Sequence, residues 1–229
     1  MPTIPRVEKR RLLLQASPFQ ALDSSDLDGL IERLHERRFG DGELIFARGD
    51  PGTSLFVVAA GQVRLSLAAA DGREVLLAIV GPGQLFGELA FLDGQGRSAD
   101  AAAQGACVLL SLEGRHLLSV LHRSPEAALR FLELVCARTR AATSRIEAAC
   151  FLSVQARLAR LLLAEAGSAR IAEPPSQSDI GRLIGASRQK VNLHLSRLLS
   201  EGILAREGRT LVIKNEAQLA RLAEGEAND

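Results

Sequence analysis

Phe86-Gly-Glu-Leu-Ala-Phe-Leu-Asp-Gly-Gln-Gly-Arg-Ser-Ala99 is the stretch on which the fold of this chain turns. Its glycines let backbone approach a ligand closely. Glu88-Leu-Ala-Phe-Leu92 suits one short helical turn whose N–H groups point at an anion. Arg97 supplies a permanently charged planar fork matched to a phosphate, and Ser98 beside it adds a hydroxyl donor. A carboxylate at Glu88 is no ligand for an anion, but it accepts hydrogen bonds from a sugar hydroxyl. Together these point to a nucleotide with a free ribose 2′-hydroxyl and a compact phosphate. On pattern alone, a glycine-rich turn with an outward arginine is more often an ordinary surface loop.

The surroundings of this stretch are β-like. Twelve of the chain's 20 glycines lie between Gly40 and Gly105, separating short runs of alternating apolar residues. Val63-Arg-Leu-Ser-Leu67 and Val75-Leu-Leu-Ala-Ile79 alternate cleanly, and Asp71-Gly72 between them is a strong hairpin turn. Short strands from Phe39 to about Leu112 imply an antiparallel sandwich or barrel able to hold a small ligand. Upstream, the apolar spacing from residue 12 to 36 predicts helix, interrupted at Ser17-Pro18. Asp23 or Ser24 caps a helix that begins at Ser25, and His35-Glu36-Arg37-Arg38 stands where a helix end favours cations.

Downstream, Ser124-Pro125-Glu126 opens a long helix with a capping serine, a proline at the first position and an acid near the positive dipole end. Leu132, Thr139 and Ile146 recur at heptad spacing, with Val135, Ala142 and Ala149 between them. A helix from Pro125 to about Leu152 spans roughly 40 Å. Such a stripe either packs along its own domain or forms a dimer seam. Its length favours the seam, since one small barrel can hardly bury it.

Beyond Ser153 the chain reads as helical through Leu163, and it passes Pro174-Pro175 into a compact segment ending near Lys214. Ile180, Leu183 and Ile184 end at Gly185, and Ser187 restarts a helix carrying Val191, Leu195, Leu198 and Leu199. Two short helices about a glycine turn form the helix-turn-helix signature. Ser187, Arg188, Gln189, Lys190 and Asn192 stand near the start of the second helix, residue types suited to base edges and phosphates. Glu207-Gly208-Arg209 between Ile203-Leu204 and Leu211-Val-Ile213 reads as the hairpin of a wing. The acidic, alanine-rich tail from Glu216 to Asp229 reads as a final helix.

Whole-chain charge hides this pattern. Lysine plus arginine number 28 against 27 acids, a net +1 over 229 residues. Residues 176 to 214 alone carry seven Lys/Arg against three acids, a local +4. No apolar run approaches the ~20 residues of a membrane span, and no export signal precedes Arg6, so a cytoplasmic location is expected. Three scattered cysteines, Cys107, Cys136 and Cys150, argue against a disulfide framework, a zinc site or an iron–sulfur cluster. His35, His116, His122 and His194 stand in no context that suggests haem. No nucleophile–base pair, metal spacing or second nucleotide loop points to an enzyme.

Gly87-Glu88-Leu89 followed by Arg97-Ser98-Ala99 resembles the phosphate-binding cassette of cyclic-nucleotide-binding domains. Gly49-Asp-Pro-Gly52, Leu55-Phe-Val-Val58 and Gly61-Gln-Val-Arg64 resemble the β-roll that carries it. Combined with the helix-turn-helix, the chain resembles the family of cyclic AMP receptor protein and fumarate-nitrate regulators (Crp/Fnr) over nearly its whole length. The resemblance implies an α+β protein with a cyclic-nucleotide-binding β-roll (double-stranded β-helix) over residues 1–123. A dimerisation helix over 124–152 and a winged helix-turn-helix over 153–229 follow. It implies that Glu88 takes the ribose 2′-hydroxyl while Arg97 and Ser98 take a cyclic phosphate.

Ala142-Thr143-Ser144 followed by Phe151-Leu-Ser-Val154 is similar, without gaps, to the nucleotide-contacting helix of the cyclic AMP receptors. The similarity implies that Thr143 touches the purine within its own subunit and Ser144 reaches the partner's. Thr139, one turn earlier, departs from an arginine in that pattern. In the recognition helix Arg188 matches a guanine reader, whereas Gln189 and Leu193 replace a glutamate and an arginine, so Gln189 and Asn192 favour adenine. The implied protein is a homodimeric transcription regulator that binds a double-stranded DNA operator. Cyclic AMP is its ligand, with cyclic GMP as the rival, and RNA polymerase is its partner by family alone. A regulator independent of nucleotide, a nucleotide-regulated enzyme and a docking adaptor are the alternatives.

Overall fold

In a computed structural model, residues 3–68, 74–172 and 174–225 are described. They form two compact units, Met1–Arg138 and Thr139–Asp229.

The first unit opens with helices α1 (Arg6–Gln15), α2 (Ser17–Gln20) and α3 (Ser24–Ile31). Asp23 caps α3, its carboxylate accepting from the Asp26 N–H at 2.7 Å. Helix α1 begins before the apolar spacing does, across Arg6–Arg11, where Arg11 pairs with Glu8. The expected helix end at His35–Arg38 is instead strand β1 (His35–Phe39). The cation near the helix terminus is Arg33, whose Nη1 donates to the Gly29 carbonyl at 2.6 Å. His35 to Phe39 are taken by antiparallel pairing with Ser111 to Cys107 of a distant strand.

Strands β2 (Leu44–Phe46), β3 (Ser54–Ala68), β4 (Glu74–Val80), β5 (Leu85–Phe86) and β6 (Asp100–Glu113) complete one antiparallel sheet. The long strands β3 and β6 run beside each other, shift register near Val58–Gln62, and let the sheet roll over. The Asp71-Gly72 turn lies outside the described residues, but β3 and β4 on either side of it pair antiparallel, Ala68 opposite Glu74. Helix α4 (Leu89–Asp93) interrupts the strands between β5 and β6. Two apolar clusters fill the unit. One joins α1–α3 and α5 (Gly114–Arg123) to the outer strand face, with Leu13, Leu110, Leu112 and Leu117 fully buried. The other lies inside the roll, around Phe56, Phe86, Val63 and Leu109.

Helix α6 (Pro125–Phe151) follows, and Ser124 Oγ accepts from the Ala127 N–H at its start. Much of its apolar stripe is uncovered: Leu129, Leu132, Ile146 and Phe151 are each more than half exposed. The second unit contains α7 (Val154–Glu165), β7 (Arg170–Ile171), α8 (Gln177–Ile184) and α9 (Arg188–Ser200). It ends in β8 (Leu204–Glu207), β9 (Thr210–Ile213) and α10 (Glu216–Ala223). Ser153, Ser176 and Ser187 each cap the following helix through their hydroxyls. The expected hairpin β8–β9 is present, and β7 adds a third strand to it. That two-residue strand carries no alternation of its own to reveal it.

Leu198 of α9 is fully buried while Leu193 of the same helix is 67% exposed. Leu198→Ala is expected to destabilise the protein by about 2–5 kcal/mol and Leu193→Ala by less than about 0.5 kcal/mol. Urea denaturation followed by circular dichroism checks both.

Candidate functional site

The residues singled out between β5 and β6 converge around one buried arginine. Gly87 has φ +78°, and a Cβ there would lie 2.7 Å from Arg97 Nη1. Glycine at this position therefore serves both the turn and the close approach. Its carbonyl accepts a 2.6 Å hydrogen bond from that same Nη1. Arg97 is 6% exposed, with its guanidinium carbon 4.3 Å from the centroid of the Phe46 ring and 5.6 Å from that of Phe56. Burial lowers its pKa from the ordinary value, opposed by the charges of Asp50 and Glu88. An arginine remains cationic even so. Its Nε is buried with no hydrogen-bond partner.

Glu88 precedes α4 and is 1% exposed. One carboxylate oxygen pairs with Arg138 Nη1, and Arg138 Nη2 donates to the Leu85 carbonyl. The other oxygen, Oε2, is buried and unpartnered. Among the described residues of the first unit, Glu88 and Arg97 are the only buried ionisable side chains with carboxylate or guanidinium groups. Each keeps a polar atom without a partner, an arrangement that costs stability unless something else satisfies it. Chemically, the site offers one acceptor for a hydroxyl and a fixed cation for an anion. Leu89 is partly exposed on α4, and Ser98 is exposed beside Arg97.

Arg138 was not among the expected site residues, because an arginine on a helix surface has no distinguishing spacing. Thr139 itself carries no charge, and the arginine that reaches Glu88 stands one position before it, at Arg138. Thr143 and Ser144 lie further along α6, both exposed, with the Thr143 hydroxyl donating to the Thr139 carbonyl at 3.1 Å.

In the second unit, Gly185 ends α8 in the left-handed conformation and the Ala186 N–H donates to the Gly181 carbonyl. The turn leads directly into α9, which buries Val191, Leu195 and Leu198 and exposes Arg188, Gln189, Lys190 and Asn192 beside the Ser187 cap. Gln177, Ser187, Arg188, Gln189 and Asn192 line a concavity of about 550 Å³. The acids of the segment are occupied: Asp179 pairs with Arg182, Glu201 with Arg197, and Glu207 with Arg170 and Lys214. Arg188, Lys190, Arg206 and Arg209 form no ion pair among the described residues, so the helix start and wing carry free positive charge. Burial, with Arg197 and Lys190 nearby, lowers the pKa of His194. That shift favours the neutral imidazole over the cation.

Gln177 also modifies one expectation. Its amide nitrogen donates to Asn192 Oδ1 at 3.0 Å, leaving the Asn192 nitrogen as the outward donor. Paired adenine recognition uses both ends of an asparagine amide, so Gln189 is the better placed of the two for it.

Among the described residues, no cluster of three or more His, Cys, Asp or Glu could hold a metal. The three cysteines are free, and burial pushes the Cys107 thiol up to about 11. No helix of the described residues is long and apolar enough to cross a membrane.

A nucleotide-binding roll and a winged helix-turn-helix on one chain define a ligand-responsive class of DNA-binding regulator. Residues 36–124 match the cyclic nucleotide-binding domain, and residues 156–222 match the Crp-like helix-turn-helix domain. The chain is 31% identical over 220 residues to the CRP-like cAMP-activated global transcriptional regulator of Mycobacterium tuberculosis, covering 93% of this chain and 98% of that one. It is 32% identical over 215 residues to the cyclic AMP receptor protein of Thermus thermophilus, covering 93% and 99%. Among solved structures, FixK2 from Bradyrhizobium japonicum matches with a TM-score of 0.75 at 24% identity, over 86% of this chain and 98% of that one. The Thermus thermophilus catabolite activator protein matches with a TM-score of 0.53 at 31% identity, over 92% and 100%. The chain belongs to the Crp/Fnr family of DNA-binding transcription regulators. Its relatives are regulators, not enzymes.

Three expected outcomes follow from this geometry. Gly87→Ala forces both a strained φ and a clash with Arg97, and is expected to cost more than about 1 kcal/mol in thermal denaturation. Gln189→Ala is expected to remove about 1–3 kcal/mol of discrimination at one operator base pair, with the salt slope unchanged. Lys190→Ala is expected to weaken binding to all sequences and lower the salt slope by about one. Selection of bound sequences and salt titrations distinguish the two.

Proposed function

We propose that this regulator is a homodimer that binds cyclic AMP in each N-terminal roll and in that state engages its DNA operator. The single observation that carries the ligand reading is the pair of buried charges, Glu88 and Arg97, each with an unsatisfied polar atom. Glu88 Oε2 accepts from the ribose 2′-hydroxyl, while Arg138 keeps the other oxygen. Arg97 and Ser98 take the cyclic phosphate, and Gly87 and Leu89 shape the turn beneath it. Cyclic AMP is favoured over cyclic GMP by the relatives named as cAMP-activated regulators.

On α6, Thr143 touches the purine within its own subunit and Ser144 reaches the partner's; both side chains are exposed and available for this. The exposed apolar residues Leu129, Leu132 and Ile146 support helix 124–152 as the dimer seam, between the ligand-binding region 1–123 and the reader region 153–229. Ser187, Arg188, Gln189, Lys190 and Asn192 contact double-stranded DNA. Two copies of α9 related by a two-fold axis then meet successive major-groove turns. A cytoplasmic location and contact with RNA polymerase accompany this role.

Calorimetric titration with cyclic AMP and cyclic GMP tests the proposal. Cyclic AMP is expected to bind more tightly, and Arg97→Gln to weaken it roughly 30-fold or more through loss of a charge-assisted phosphate contact. Thr143→Ala and Ser144→Ala are each expected to weaken cyclic AMP binding. Tighter binding of cyclic GMP reverses the ligand assignment, and no binding of either nucleotide removes it.

A further inference from the structure

We infer that Phe46, on β2 and outside the Gly87–Ser98 segment, is a positioning residue for the phosphate-binding guanidinium of Arg97. This rests on the nucleotide reading above. A guanidinium presents its parallel donors to a phosphate only if both its plane and its rotation within that plane are set. The Gly87 carbonyl sets the rotation by holding Nη1 at 2.6 Å. The plane is set by the ring of Phe46, whose centroid lies 4.3 Å from the guanidinium carbon, within range of a cation–π contact.

Phe46 is itself held in place. Its centroid is 5.9 Å from that of Phe56 and 6.0 Å from that of Phe86, with interplanar angles of 32° and 33°. Phe56 and Phe86 stack at 5.2 Å across the β3–β5 pairing, where they are direct register partners. Both are nearly or fully buried. Three rings from three strands therefore form a platform rooted in the core, with Phe46 as its face toward Arg97. The edge of the guanidinium away from Gly87 includes Nε, which is buried and has no hydrogen-bond partner. A fork fixed on two sides and unpaired on the third is organised for an anion before one arrives, which lowers the ordering cost of binding.

The test uses the full chain with Phe46→Leu, which removes the ring, and Phe46→Tyr, which keeps it. Phe46→Leu is expected to weaken cyclic AMP binding roughly five- to tenfold, and Phe46→Tyr to stay within about twofold of wild type. In the nucleotide-free wild type, the Arg97 Nε proton is expected to resonate upfield from ring current, with the shift lost in Phe46→Leu. Wild-type affinity in Phe46→Leu, an equal loss in Phe46→Tyr, or an unshifted Arg97 signal in wild type overturns the inference. The wild-type signal decides the geometry even if Phe46→Leu fails to fold. If wild type binds neither cyclic AMP nor cyclic GMP, the nucleotide reading fails. The Arg97 resonance still reports separately whether Phe46 stacks on the guanidinium.

Discussion

A permanently charged guanidinium held almost out of water is the constraint around which the N-terminal unit is arranged. Arg97 cannot shed its proton, so its burial is tolerable only with compensation. The Gly87 carbonyl, the Phe46 and Phe56 ring faces, and the charges of Asp50 and Glu88 supply it. Each of these fixes something larger. Gly87 must be glycine, β2 must deliver Phe46 to the roll interior, and β5 must place Phe86 opposite Phe56. Glu88 in turn holds Arg138, and through it the middle of the long helix α6. One ion pair thereby joins the β5–α4 turn to that helix, while the other Glu88 oxygen stays buried without a partner.

The C-terminal unit solves a different problem, concentrating positive charge on a small surface without destabilising its core. Its buried face is aliphatic, from Leu158 and Leu162 through Val191, Leu195 and Leu198 to Leu211. The acids between residues 176 and 214 are tied to neighbouring cations, so the charge left unpaired in that segment falls at the start of α9 and on the wing. In the proposed role that free charge would supply affinity for the phosphate backbone and Arg188, Gln189 and Asn192 the sequence preference. Gln177 of the first helix holds the Asn192 amide oxygen on the second.

Much of this was legible in the sequence because the informative signals are local. The Gly87–Ser98 spacing, the Ser124-Pro125 helix start, the Gly185 turn with its Ser187 cap, and the Glu207–Arg209 hairpin are all read within a dozen residues. What was missed depends on residues far apart in the chain. His35–Arg38 have the composition of a helix end, yet pairing with Ser111–Val108 makes them strand. Arg138 acquires its role from Glu88, fifty residues away. Phe46 gains meaning only when the roll closes and brings Arg97 over its ring. Net charge misled for the opposite reason, since averaging over the chain cancelled a basic segment against acids elsewhere.

The central claim is that a nucleotide held by Glu88 and Arg97 changes how well the recognition helices engage DNA. A ligand shifts such an equilibrium only by its differential affinity for the two states. The most direct measurement is therefore the affinity of the full-length protein for its operator, titrated at fixed salt with and without cyclic AMP. This account predicts about tenfold or more tighter binding with the nucleotide, and no such gain in Arg97→Gln. Equal affinity with and without nucleotide, in a protein shown to bind it, would contradict the account.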